Sequence, residues 1–95
     1  MKIHRVKCYS RWFAEVTTGM KQFEIRRNDR DYKPGELLEL NETVDAEYTN
    51  RAALYEITSV MLDSDFPDGI KSGFAVLGIR PVTGVYDDYG KGALT

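Results

Sequence analysis

The run Ala52-Ala53-Leu54-Tyr55-Glu56-Ile57-Thr58-Ser59-Val60-Met61-Leu62 decides the fold class. Its first three residues favour helix. Tyr55, Ile57, Thr58 and Val60 are aromatic or β-branched, and such side chains pack best on a pleated surface. The run is therefore read as a strand, with Tyr55, Ile57, Ser59 and Met61 on one face and Leu54, Glu56, Thr58 and Val60 on the other. Downstream, residues 63–72 carry Pro67 and Gly69 and read as a loop with at most one helical turn. Residues 73–80 contain Phe74, Ala75, Val76, Leu77 and Ile79. They are apolar on both faces, as a central buried strand should be. Upstream, Leu37, Leu38 and Leu40 mark a strand over residues 36–42, and residues 43–50 lack apolar periodicity and read as a loop.

Working back towards the N-terminus, Pro34-Gly35 suits the two central positions of a type II turn. Asn28-Asp29-Arg30-Asp31 is a polar turn-former. Residues 22–27 alternate: Phe23 and Ile25 point one way, and Gln22, Glu24 and Arg26 form a charged outer face. Before them, Trp12, Phe13, Val16 and Met20 recur at near-helical spacing. This predicts a helix over residues 11–18, with Ser10 as N-cap and Gly19 ending it. Residues 3–8 read as a short edge strand in which Lys and Arg discourage aggregation. The expected fold is α+β, mainly β: a small β-barrel of about five strands with one or two short helices, one of them packed at the mouth or end. Residues 1–80 form the domain. Residues 81–95 form a tail, extended or partly disordered, or docked through Val85, Tyr86 and Tyr89.

The chain has 95 residues, enough for one domain with a modest core. No apolar run approaches the roughly 20 residues of a membrane helix, and the first residues do not resemble a secretory signal. A single cysteine excludes an intrachain disulfide framework. One cysteine and one histidine argue against a zinc site, so neither metal nor cofactor is expected. These features predict a cytoplasmic, soluble, non-membrane protein, either monomeric or a weak homodimer. The formal net charge is −2, but residues 1–33 hold nine Lys and Arg against four acids, and the remainder holds four against eleven. A basic first third can present one positive face to an anion.

The sharpest chemical feature is Gly19-Met20-Lys21-Gln22-Phe23-Glu24-Ile25-Arg26. Glycine lets the chain reverse after the helix, Lys21 lies in the junction, and Glu24 and Arg26 emerge on one face of the strand. A lysine, a carboxylate and a guanidinium gathered beside a helix end can grip a polar planar ligand, the guanidinium bidentately. Spacing alone equally describes a surface Glu–Arg ladder with a solvated Lys21. Arg27, Arg30 and Lys33 are candidates for an electropositive rim along a phosphate track. Tyr32, in a polar turn near the motif, is the better base-stacking candidate, because Trp12 on an amphipathic helix reads as core. The Asn28 to Asp31 run is read as a turn rather than a cation site. His4 is read as structural and Cys8 as an inert, half-buried thiol.

The octet resembles the Gly-x-Lys-x-x-Glu-x-Arg signature of the ASCH domain family, within the PUA-like superfamily. The likeness extends through Pro34-Gly35-Glu36-Leu37-Leu38, Tyr48-Thr49-Asn50-Arg51 and Gly73-Phe74-Ala75-Val76-Leu77-Gly78-Ile79, which look like small bacterial and phage proteins of that kind. It covers roughly residues 1–80. It implies a PUA-like barrel whose cleft, carrying Lys21, Glu24 and Arg26, binds RNA or a nucleotide-like ligand. Some ASCH proteins are amidohydrolases on acetylated cytidine, using a lysine, a threonine and a glutamate. Lys21 matches the lysine, Glu24 stands where those enzymes have the threonine, and Glu56 is a loose match for the glutamate. Three readings follow. The first is an RNA- or nucleotide-binding module. The second is an amidohydrolase on N4-acylated cytidine-type nucleosides, with Lys21 and Glu24 as catalytic candidates. The third is a protein-interaction module.

Overall fold

A computed structural model of the protein describes residues 2–87. The elements in chain order are β1 (Ile3–Tyr9), α1 (Ser10–Thr17), β2 (Phe23–Arg27), β3 (Leu37–Val44), β4 (Glu47–Leu62), β5 (Phe74–Pro81) and β6 (Tyr86–Asp87). The sheet runs β1-β3-β4-β5-β2, with the two-residue β6 added against β4. It curls into a half-barrel, so the mainly-β expectation with one short helix holds. β1 lies parallel to β3, and the other pairs are antiparallel. A parallel pair needs a crossover. Here the crossover carries α1 and then lays β2 at the far edge, so β1 and β2 are the two ends of the open sheet.

The concave side is filled by Val6 and Cys8 from β1, Leu38 and Leu40 from β3, Ala53, Tyr55 and Ile57 from β4, and Ala75, Leu77 and Ile79 from β5. The helix closes this trough with Phe13 and Val16, both buried. Phe13 is fully buried, and its loss would cost about 3–5 kcal/mol. Ser10 is the first helical residue rather than the cap. Tyr9 holds the N-cap position without a side-chain cap bond, because β1 runs straight into the helix and leaves no loop for a capping residue. At the other end Gly19 takes φ +85°, as its place after the helix predicts.

Three local readings change. Residues 43–50 are a hairpin, not a loop: β3 and β4 continue through the pairs Thr43–Tyr48 and Val44–Glu47. Asp45 and Ala46 have φ of 51° and 67°, the two positive values of a type I′ turn. Their identities do not advertise it, and that end of the hairpin projects beyond the core, so its apolar alternation fades. Secondly, the alternation in β4 is not continuous. The register against β5 shifts between Ile57 and Ser59, which makes Thr58 the extra residue of a bulge. Tyr55 and Ile57 share the inward face, but beyond the bulge Val60 and Leu62 pack on the core and Met61 faces solvent, so the expected single face is broken. Thirdly, β2 presents the opposite face to the one expected, as described below.

Opposite the bulge stands Gly78, where a Cβ would come within 2.5 Å of Ser59 Oγ and 2.9 Å of Thr58 Oγ1. The turn at Pro34-Gly35 forms as expected, with Gly35 at φ +90° and Glu36 N–H donating to Lys33 O at 3.2 Å. It is tied to β1 by His4, whose Nε2 lies 2.7 Å from Glu36 Oε1, and Glu36 also accepts the Lys33 N–H at 3.0 Å. His4 is thus a structural residue with a partner. After β5 the chain stays paired: Val82 and Thr83 N–H both donate to Leu54 O, and Thr83 Oγ1 accepts from Leu54 N–H. The Tyr86 hydroxyl donates to Glu39. Residues 88–95 of the expected tail, with Tyr89, lie outside the described residues. Among the described residues no helix is long and apolar enough to cross a membrane.

Two stability measurements follow. Gly78→Val should lower the unfolding free energy by about 1–3 kcal/mol, Gly78→Ala should cost less, and Ser59→Ala should relieve part of the Gly78→Ala cost, all read by urea denaturation. The His4 contact holds the Glu36 carboxyl below its ordinary value of 4.5. A depressed folded pKa gives stability that is present above the unfolded pKa and lost as pH falls through the folded one. Glu36→Gln should therefore flatten the acid limb of a stability–pH curve, and an unchanged limb would contradict this.

Candidate functional site

The helix C-terminus sets the position of Lys21. Thr18 N–H donates to Ala14 O, Gly19 N–H to Val16 O, and Lys21 N–H returns to Glu15 O at 3.0 Å. The chain is folded back beneath the helix end, and β2 starts two residues later. Pairing with β5 then sets its faces: Glu24 lies opposite Leu77 and Arg26 opposite Ala75, both inward-facing residues. The charged side of β2 therefore points into the trough, and Phe23 and Ile25 face out at 43% and 58% exposure. The expected charged outer face is reversed. Alternation reports a period of two but not which face is buried; the register against β5 sets that, and ion pairing satisfies the charges it turns inward.

Inside, the Glu24 carboxylate is held between two cations. Lys21 Nζ is 3.0 Å from its Oε1, and Arg26 Nη1 is 3.6 Å from its Oε2. The Glu24 side chain is only 5% exposed. A carboxylate this deeply buried needs partners, and here it has two. Arg26 Nη1 also donates to Lys7 O, on β1, at 2.9 Å. Its guanidinium thereby reaches from one edge of the sheet to the other.

These groups line a cavity of about 890 Å³ between β1, β2, the helix and the β3–β4 hairpin. Its polar lining comprises Lys7, Lys21 and Arg26, with Glu15, Glu24 and Thr43. Tyr9, Trp12, Met20, Phe23 and Ile25 form its apolar rim. Trp12 is 37% exposed, not core. Its ring carries Lys21 Nζ at 5.1 Å and the Arg11 guanidinium at 4.5 Å, and Lys21 Nζ is also 5.3 Å from the Phe23 ring. Such cation–π contacts fix the ammonium between ring and carboxylate. Cys8 lies at the cavity floor. Burial, followed by the nearby Glu24 charge, pushes its thiol up to about 12, against the opposing pull of Lys21 and Arg26.

The structure thus gathers Lys21, Glu24 and Arg26 in one place, but Arg27, Arg30 and Lys33 lie apart from them. Arg27 faces out, its guanidinium 4.9 Å from the Phe74 ring. Arg30 is exposed on the turn, and Lys33 pairs with Asp31 at 3.2 Å. Tyr32 is buried at 4% exposure, its ring 4.7 Å from His4, so it meets Arg26 through its side-chain hydrogen bond and turns its face to the core rather than to a base. None of the four lines the cavity, whose cations are Lys7, Lys21 and Arg26 instead. Glu56 is bound to Arg80 at 2.7 Å on the outer face, away from Lys21. Trp12 and Thr43 are the cavity residues that sequence reasoning placed elsewhere. Phe13 and Val16, three apart, already define the buried stripe of α1, which leaves Trp12 on its shoulder. Thr43 carried no such signal, since its place depends on the hairpin.

The model of a domain of unknown function (DUF3850) matches residues 3–79 of the chain. An uncharacterised 12.9 kDa protein in the GpA 3′ region of Escherichia phage P2 is 37% identical over 83 residues, spanning 86% of this chain and 76% of its own. The chain belongs to the DUF3850 family, and a phage protein is among its relatives, as expected of its likeness to small phage proteins.

Cys8 should resist alkylation in the native protein at about pH 8 and react fully once urea unfolds it, because a buried thiol holds its proton. Native labelling at the rate of a free thiol would show that the cavity floor is open.

Proposed function

We propose that this member of the DUF3850 family is a small RNA- or nucleotide-binding module whose ligand occupies the Lys21–Glu24–Arg26 cavity. One observation carries the reading: a paired but partly accessible cation–carboxylate–cation set lies at the base of a cavity with a half-exposed tryptophan at its mouth. A cavity of this size accommodates a nucleoside with room for its sugar and one phosphate. Trp12 supplies a stacking face for a base. Glu24 accepts from an exocyclic amino group, and Lys21 and Arg26 donate to carbonyl or phosphate oxygens. The ASCH-like signature in the same residues supports the same assignment. The lining holds three cations against two carboxylates, and Arg27, Arg30 and Lys33 lie elsewhere, which suits one nucleotide rather than a long phosphate track.

A second reading, hydrolysis of an N4-acylated cytidine, is favoured by one feature. Thr43 lines the same cavity as Lys21 and Glu24, its hydroxyl donating to Cys8 O at 3.5 Å, so an amine, a carboxylate and a threonine lie around one space.

Labelled protein titrated with a short single-stranded RNA, cytidine and acetylated cytidine tests both readings. Shifts should centre on Trp12, Lys21, Glu24 and Arg26, with a salt slope of about −1. Trp12→Ala should weaken binding by about 1–3 kcal/mol. Release of acetate that disappears in Lys21→Ala would establish the hydrolase. No shift with any of the three ligands overturns the nucleotide reading.

A further inference from the structure

The inward turn of Glu24 and Arg26 leaves an apolar surface on the other side of the sheet. The register places Phe23 beside Gly78 and Ser59, Ile25 beside Val76 and Met61, and Arg27 beside Phe74. Directly opposed residues share a face, so Phe23, Ile25, Val76, Met61 and Phe74 form one strip across β2, β5 and β4. Ile25 and Met61 are 58% and 49% exposed. A row of large apolar side chains on the outside of a small domain marks an interaction surface.

Charge says what kind of partner it fits. At one end Arg27 and Lys71 both lie over the Phe74 ring, at 4.9 and 5.6 Å, and among the described residues neither has a carboxylate within ion-pair distance. Asp63 and Asp65, in the adjoining loop, are turned onto that loop's own N–H groups at 2.8–2.9 Å. At the other end stands Arg80, bound to Glu56 and still 66% exposed. Two copies related by a two-fold axis would set either the Arg27–Lys71 end against itself or that end against Arg80. The first places cation on cation and the second sets Arg27 and Lys71 against an already paired Glu56–Arg80, so neither supplies them a free carboxylate, which disfavours a second copy.

We infer that the outer face of β2, β5 and β4 is a docking surface for a partner protein segment that presents apolar side chains flanked by carboxylates. The apolar residues cover Ile25, Val76 and Met61, and the carboxylates take the places beside Arg27 and Lys71. The surface is separate from the nucleotide cavity except at Phe23 and Ile25, where the two share a border. Met61, Arg27 and Lys71 belong to the surface alone.

The test is a selection of random displayed peptides on the full chain, with Met61→Asp and Arg27→Glu as counter-targets. Both substitutions are on the exposed face, and an unchanged thermal melt checks that each variant folds. Selected peptides should be rich in apolar residues next to Asp or Glu and should bind each variant about tenfold or more weakly. A selected peptide should shift the amides of Ile25, Val76 and Met61. The inference is overturned if no peptide is selected, if those selected are basic or indifferent to both variants, or if shifts are confined to Cys8, Lys21 and Thr43. It is also overturned if sedimentation shows a wild-type dimer that Met61→Asp dissociates, which would give the strip to a second copy.

Discussion

The Glu24 carboxylate, buried between Lys21 Nζ and Arg26 Nη1, is the contact on which the open side of this sheet depends. Curled strands usually finish by pairing first edge with last, which leaves no unsatisfied backbone. Here β1 and β2 are the two edges, and among the described residues β1 pairs only with β3 and β2 only with β5. The link between them is a side chain, Arg26, donating to Lys7 O. Glu24 aims that guanidinium and Lys21 balances it. A gap closed by a side chain instead of a strand remains a cavity, and its walls carry charge.

The same contact fixes what lies outside. A strand shows alternate residues to alternate faces, so drawing Glu24 and Arg26 inward sends Phe23 and Ile25 outward. The cavity and the apolar strip are two consequences of one choice of face. The bulge at Thr58 adds to the strip by turning Met61 out while Val60 and Leu62 return to the core. Gly78 accommodates that bulge, where a side chain would meet both hydroxyls. Features spaced well apart along the chain thus converge on one surface.

Around this seam the structure is conservative. Phe13 and Val16 plug the trough, the His4–Glu36 contact pins the turn before β3 to β1, and Leu54 holds the segment after β5 through three backbone-directed hydrogen bonds. Polar groups on β3 are buried but partnered: Glu42 accepts from Thr49 Oγ1, and Asn41 Nδ2 donates to Val6 O and Glu39 O. A domain this small has little core to spare, so such satisfied contacts matter to its cohesion.

The amino-acid sequence by itself determined the mainly-β class, the strand positions outside residues 43–50, the helix ending at Gly19 and the Pro34-Gly35 turn. Each of these is a local matter of backbone propensity and periodicity. It also singled out Lys21, Glu24 and Arg26: Glu24 and Arg26 share one face of any strand that follows the helix, and Lys21 lies in the junction just before it. Only the tertiary structure decided which way that strand faces, because alternation is symmetric and the partner strand β5 breaks the tie. It likewise decided that Trp12 and not Tyr32 stands at the cavity, that Thr43 joins it from a hairpin, and that Arg27 leaves it. Those outcomes rest on register, on the shift in the β3–β4 pairing just before Thr43 and on which buried charges find partners. All of these are set by contacts between residues distant in the chain.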